Sequence, residues 1–320
     1  MANIAPTQLR DLLKARGWQL IPQALNARLY ALSHATYPSR QLVFPMDDTA
    51  PDYEESVLLV LKKLSELTKT DTTTLAFQAK TVADDLIKLR VHNNFNLASL
   101  PLSFAKQLIN NTEKLLKAAA CTVVRPRYHH PRLFVGEATQ LINKARFGQT
   151  EKGSFVLNIA LPVNALETQG NLGFDDDLPF VRQVTASLNK GLHQLVSAIE
   201  TDELDSLIKR VQTEDTPVIS SNLCDALAEM YDEQLENSLD INFNWSPLLK
   251  NPPINAVNSI RIQRDYFSRF EEVRRALRKV EADQQDVFIG TVERLDGELN
   301  PDGRRSGAVV LALLLPEEGE

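Results

Sequence analysis

Two stretches of this chain alternate apolar and polar residues strictly, and they limit the fold before anything else does. In Leu86-Ile87-Lys88-Leu89-Arg90-Val91-His92 an extended backbone puts Ile87, Leu89 and Val91 on a core side and Lys88, Arg90 and His92 on a wet, cationic side. Leu239, Ile241, Phe243 and Trp245 alternate in the same way with Asp240, Asn242 and Asn244. Elsewhere the period changes from two to that of a helix. Phe180, Val181, Val184, Leu188, Leu192, Leu195, Val196 and Ile199 form one stripe, and Phe104, Leu108, Leu115 and Leu116 form another, followed by Ala118-Ala119-Ala120, small residues that allow close helix packing. One-sided strands mixed with amphipathic helices place the chain in the α+β class.

Composition sets the broad class. With 320 residues, 43% hydrophobic and 24% charged, the chain reads as a soluble globular protein with material for two or three domains. Lys+Arg 35 against Asp+Glu 42 gives a net charge of -7, so nucleic acid is not gripped by bulk charge and any such site is a local basic patch. Cys121 and Cys224 lie in apolar helical patterns without a CxxC partner, which predicts small buried hydrophobes and a reducing cytoplasm. The start Met-Ala-Asn-Ile-Ala-Pro lacks a basic region followed by an apolar one, and the longest apolar run, Ala308 to Leu315, is too short for a bilayer. The expectation is a cytoplasmic protein with no membrane contact.

The pattern divides the chain into four segments. Residues 1–72 read as an αβββα unit: Leu9, Leu12 and Leu13 share a helical face ending at Gly17, short strands follow, and a stripe from Tyr53 to Leu67 starts behind an Asp52/Glu55 capping box. Residues 73–168 form a central α+β segment with the strand from Leu86, helices Ser103 to Val124 and Val135 to Phe147, and a strand from Ser154 to Leu161. Residues 169–285 are mainly helical with strands, and Ser220-Ser221-Asn222 caps one of the helices. Residues 286–320 read as a β-hairpin with an interior Gly290, the opening of an OB-like barrel. Such a barrel needs five strands, so either the hairpin joins a sheet elsewhere or the natural chain continues beyond Glu320.

Two loops and one helix face carry the chemistry. Arg125-Pro126-Arg127-Tyr128-His129-His130-Pro131-Arg132 is the most cationic short stretch and is fixed by two prolines. In Arg146-Phe147-Gly148-Gln149-Thr150-Glu151-Lys152-Gly153-Ser154, Gly148 reads as the left-handed residue closing a helix, which leaves a polar cluster at a helix-to-strand corner. Guanidinium groups donate paired hydrogen bonds to phosphate oxygens, and a tyrosine ring stacks on a base. The expected ligand-binding set is therefore Arg125, Arg127, Tyr128, Arg132, Arg146, Gln149, Glu151 and Ser154, although loops carry such residues for their own backbone needs as well. Arg274, Arg275, Arg278 and Lys279 make a second basic patch on a helix from Asp265 to Val280, where cations also favour the helix dipole.

The αβββα order and the Arg16-Gly17-Trp18-Gln19-Leu20 opening resemble the module of HicA-type toxins, which has a double-stranded-RNA-binding-like fold. That family carries its catalytic histidine in a Gly-Ser-His motif at the start of the second strand, where this chain has Asn26-Ala27-Arg28. The resemblance thus implies the architecture without ribonuclease activity, and His34 at the far end of that strand does not inherit the role. Arg146 to Val156, with Ala119-Ala120-Cys121, Arg125-Pro126-Arg127 and Ser221-Asn222-Leu223-Cys224-Asp225-Ala226-Leu227, is similar to a group of uncharacterised bacterial proteins, which implies a bacterial origin and no particular activity.

No phosphate loop, GxGxxG, HExxH, GxSxG or spaced Cys/His ligand set occurs, so no metal site and no cofactor is expected. Asp175-Asp176-Asp177 reads as a solvated acidic run. The reading that remains is a non-catalytic binding or adaptor protein within a multi-protein system, with a protein partner and an anionic ligand, nucleic acid or another phosphate-bearing molecule. A phosphodiesterase or nuclease using Glu151 with His129 or His130, and a structural protein-interaction subunit, stay open beside it.

Overall fold

The computed structural model describes residues 4–93, 100–148, 155–166, 178–249, 253–281, 290–299 and 305–313. It has the α+β architecture and separates into two units, Met1–Lys279 and Val280–Glu320.

The first unit opens with α1 (Pro6–Ala15), β1 (Gln19–Leu20), a 3-10 helix (Pro22–Ala27), β2 (Leu29–His34), β3 (Tyr37–Pro45) and α2 (Tyr53–Thr68). The strands form an antiparallel sheet in the order β1-β2-β3, with Leu32 paired to Leu42. Leu9 and Leu13 of α1, Leu32, Leu42 and Phe44 of the sheet, and Leu61 and Leu64 of α2 bury one another. Helix α1 stops because Gly17 takes φ +86°, a left-handed turn in which a Cβ would also come 3.1 Å from His34 Nε2. The His34 ring packs against Trp18 and Tyr37 at centroid distances of 5.3 and 5.2 Å, which is a structural role.

Two local readings change here. The capping box expected at Asp52 does not form: at φ -102° and ψ 8° its backbone is outside the extended region a cap needs, and its side chain makes no capping bond. The sequence reading passed over α3 (Thr72–Lys80), whose first turn is held by Asp71 accepting from Thr74 N at 2.8 Å and which buries Leu75 and Ala79.

The remainder of this unit is built from β4 (Asp84–His92), α4 (Leu102–Val124), α5 (Gly136–Lys144), β5 (Arg146–Gly148), β6 (Val156–Pro162), α6 (Phe180–Glu200), α7 (Leu204–Thr213), α8 (Ser221–Ala228), β7 (Ser238–Asn244), β8 (Ser259–Ile262) and α9 (Tyr266–Glu281). Its five-stranded sheet runs β5-β6-β4-β7-β8, antiparallel throughout. The two alternating stretches are thus neighbours, with Lys88 opposite Asn242 and Arg90 opposite Asp240. Strands from residues 73–168 and from residues 169–285 share this one sheet. Ile87, Leu89, Leu157, Ile241 and Ile260 enter the same core as Leu108 and Leu115 of α4 and Leu188 and Leu192 of α6. The other sheet face keeps the polar rows Asn158-Lys88-Asn242-Ser259 and Arg90-Asp240-Arg261.

Gly148 corrects the helix-stop reading. Helix α5 ends at Lys144, and Gly148 sits in β5 opposite Asn158. A Cβ on it would lie 3.2 Å from Asn158 Cβ, so what glycine supplies is close strand approach rather than a left-handed turn.

Asp85 has the strand parity of Ile87 and Leu89 and is therefore carried into the core. It is neutralised there by Arg182, which is fully buried and donates from Nε at 2.8 Å and from Nη2 at 2.7 Å. Thr185 Oγ1 and Ser246 N complete the carboxylate's shell at 2.7 and 2.9 Å. The Arg182 guanidinium also lies 5.3 Å from the Trp245 ring, which stacks on Phe243. Cys121 and Cys224 are buried and unpaired, and burial raises both thiols.

The second unit contains β9 (Gly290–Leu299) and β10 (Arg305–Leu313), an antiparallel pair with a register shift between Val310 and Leu311. No closed sheet occurs among the described residues, so the OB-like barrel is absent from them: a closed barrel needs more strands than this pair supplies.

Candidate functional site

The Pro-fixed loop after α4 is held as a rigid platform. Ser221 N donates to Tyr128 O at 2.7 Å, and the His129 Nδ1 to Ser221 Oγ distance is 2.7 Å. Asn222 clamps His130 twice, accepting its N–H at 2.8 Å and donating to its carbonyl at 2.9 Å. Below these bonds, His130 Nε2 lies 3.0 Å from Thr122 Oγ1 of α4. The Ser220 cap, which accepts from Leu223 N, fixes the start of α8 that supplies the Ser221 and Asn222 partners.

Three arginines project from this platform. Arg125, Arg127 and Arg132 are exposed and form no ion pair with any described residue. Tyr128 is half-buried against the core, so its backbone holds the loop and only part of its ring is open.

The field of these charges is legible on the two imidazoles. Burial lowers His130 to about 4, with further lowering from His129, Arg127 and Arg125. Burial also lowers His129, and the second cause is Arg278 of α9. Arg278 follows by one helical turn Arg274, which lies 3.4 Å from Asp225 of α8, the helix that holds the loop; Arg278 is exposed and forms no ion pair with a described residue. One member of the second basic patch thus joins the first.

The rest of that patch behaves differently. Arg274 donates to both Glu271 carboxylate oxygens at 2.5 and 2.6 Å and lies 3.4 Å from Asp225, and Arg275 donates to Glu271 at 2.7 Å. Hydrogen bonds from Arg274, then from Arg275, hold the Glu271 carboxyl down to about 2 despite an opposing burial effect. Those two charges are spent within the helix. The side chain of Lys279 lies outside the described residues.

Arg146 also separates from the expected set. It pairs with the buried carboxylate of Asp84 at 2.5 Å, and burial keeps that carboxyl above the usual range even beside the guanidinium. It lines a small cavity with Ile109, Thr112 and Glu113. Helix α4 rises about 1.5 Å per residue, so Thr112 is about 20 Å from Arg125. Arg146, beside Thr112, therefore stands apart from the Arg125 end of α4. Gln149, Thr150, Glu151 and Ser154 lie outside the described residues, as do Asp175, Asp176 and Asp177.

The sequence reading missed the polar groove over the five-stranded sheet. It holds about 910 Å³ and is lined among others by Asn242, Asn244, Trp245, Asn258 and Ser259. Its signal was present in the alternation at 86–92 and 239–245, but the pairing that makes one surface of the two stretches is tertiary.

Comparison with models of known families, with curated proteins and with solved structures gave no match. Among the described residues, no helix is long and apolar enough to cross a membrane, and no group of His, Cys, Asp and Glu could hold a metal ion.

The histidine burial has a consequence for stability. A folded-state value near 4 against 6.5 for the free group means that protonation favours the unfolded chain. This contribution is complete above the unfolded value and is lost as pH falls through the window toward 4, by at most about 3 kcal/mol. His130→Gln should flatten that part of the profile in urea unfolding measured between these pH values. An unchanged profile would show that the ring is charged, or exposed, in the fold.

Proposed function

We propose that this protein is a non-catalytic binding protein of the bacterial cytoplasm that recognises the phosphate backbone of a nucleic acid, acting as an adaptor within a larger assembly. The observation that carries the reading is the group formed by Arg125, Arg127, Arg132 and Arg278. These are exposed cations without carboxylate partners among the described residues, set around a loop that hydrogen bonds hold in place. A guanidinium already paired has little to offer a phosphate, whereas an unpaired one on a rigid loop loses little entropy when it binds. The charges come from two separate elements, which suits a ligand with repeated phosphates better than a single small anion. Two free buried cysteines support the cytoplasmic setting.

A catalytic reading has less support. Both histidines are engaged in holding the loop, and burial disfavours in each the charged form that a general acid uses.

Fluorescence anisotropy with labelled single- and double-stranded DNA and RNA tests the proposal. Arg127→Ala and Arg278→Ala should each weaken binding, while Arg275→Ala and Arg146→Ala, whose charges are tied to Glu271 and Asp84, should change it little. Binding of none of these nucleic acids by the parent protein would overturn the proposal and move the protein-interaction reading ahead. Equal losses in all four variants would overturn the site.

A further inference from the structure

We infer that the groove on the polar face of the five-stranded sheet is a second binding site, independent of the arginine cluster, and that it takes a polyhydroxylated ligand of mono- or disaccharide size. Its volume of about 910 Å³ lies within the range that small-molecule sites occupy. Lys88, Arg90, Asp240, Asn242, Asn244 and Ser259 of the lining stand on strands β4, β7 and β8, whose opposite face is core, so the scaffold fixes their spacing.

The chemistry of the lining selects the ligand. Asn242, Asn244 and Asn258 are amides that both donate and accept, and Ser259 adds a hydroxyl that does the same. Sugar hydroxyls have that dual character, and the Asn242 amide and the Ser259 hydroxyl stand opposite each other on β7 and β8. Asp240, the carboxylate in this lining, stands opposite Arg90 across β4 and β7, which weakens the pull of the groove on a pure anion. Among the described residues, the open part of this face offers no aromatic ring for base stacking. Trp245, its one lining indole, stacks on Phe243 and sits beside the Arg182 guanidinium, so its faces are taken.

The wall is also expensive to build. Ser246 lines the groove, and its backbone N–H is held by Asp85, the carboxylate of the buried ion pair with Arg182. A buried pair is a weak source of stability compared with apolar packing, but it fixes geometry.

Nuclear magnetic resonance tests the inference directly. The chain has two tryptophans, and Trp245 lines the groove, so its indole resonance reports on changes there. Glucose, galactose, ribose, maltose, glucose 6-phosphate and inorganic phosphate are each titrated into the full chain at millimolar concentration. At least one neutral sugar should shift the Trp245 indole and the groove amide resonances saturably. Asn242→Ala should weaken that sugar by about tenfold, the loss of roughly one hydrogen bond. Asn244→Ala, at an exposed position, provides the same reading if the first variant folds poorly. No shift with any sugar, a shift with phosphate alone, or an unchanged titration in both variants would overturn the site. None of these outcomes bears on nucleic-acid binding by the arginines.

Discussion

Replacing Asp85 by Ala should lower the unfolding free energy by about 3–5 kcal/mol, the usual cost of leaving a buried charge without its partner. Arg182 has no measurable exposure, and removing the carboxylate that receives its Nε and Nη2 strands a guanidinium in the core. The same change releases Thr185 and the Ser246 backbone, both bonded to Asp85. Urea unfolding should show a lower midpoint without a change in slope. Removing both charges, as Asp85→Ala with Arg182→Met, should recover part of the loss, because the cost lies mainly in the orphaned charge. Arg275→Ala, at an exposed pair, should stay within about 1 kcal/mol of the parent. A midpoint for Asp85→Ala equal to the parent's would mean that the network does not organise the core.

Local pattern revealed much of this fold, and the failures are instructive. The alternation at 86–92 and 239–245 marked two strands and their wet sides correctly, because parity follows from an extended backbone alone. That these strands are neighbours follows from a register that no local pattern encodes. Helix α3 was passed over because Thr72-Thr73-Thr74 looks like a loop; the signal was Asp71, a cap three residues before its bonded N–H. Gly148 looked like a helix stop because glycine serves both left-handed turns and close strand contacts, and only Asn158 across the sheet decides between them.

The site was legible to the same degree. Arg125, Arg127 and Arg132 were found from a proline-fixed basic run, which is a local feature. Arg146 entered the same set because a sequence cannot show that Asp84 has already claimed it. Arg278 was recognised as part of a basic helix face, but Arg274 and Arg275 next to it are bound to Glu271, and the approach of Arg278 to His129 is a product of packing. Charge runs mark where cations are, and only the partners reveal which of them can serve a ligand.

The second large effect concerns those cations together. Each phosphate that a cationic side chain neutralises on duplex DNA releases bound counterion and adds about 0.9 to the slope of log affinity against log salt. Changing Arg125, Arg127 and Arg278 together to Ala should therefore reduce the slope by roughly 2 to 3 and weaken binding most at low salt. The folded state should be little affected, because none of the three takes part in an ion pair with a described residue. The most direct test is this slope, measured for the parent and the triple variant on the same duplex between about 50 and 200 mM salt. A clear slope in the parent that falls by roughly 2 to 3 in the variant is the result expected. A parent slope near zero, or the same slope in both proteins, would contradict the assignment of these arginines as the nucleic-acid surface.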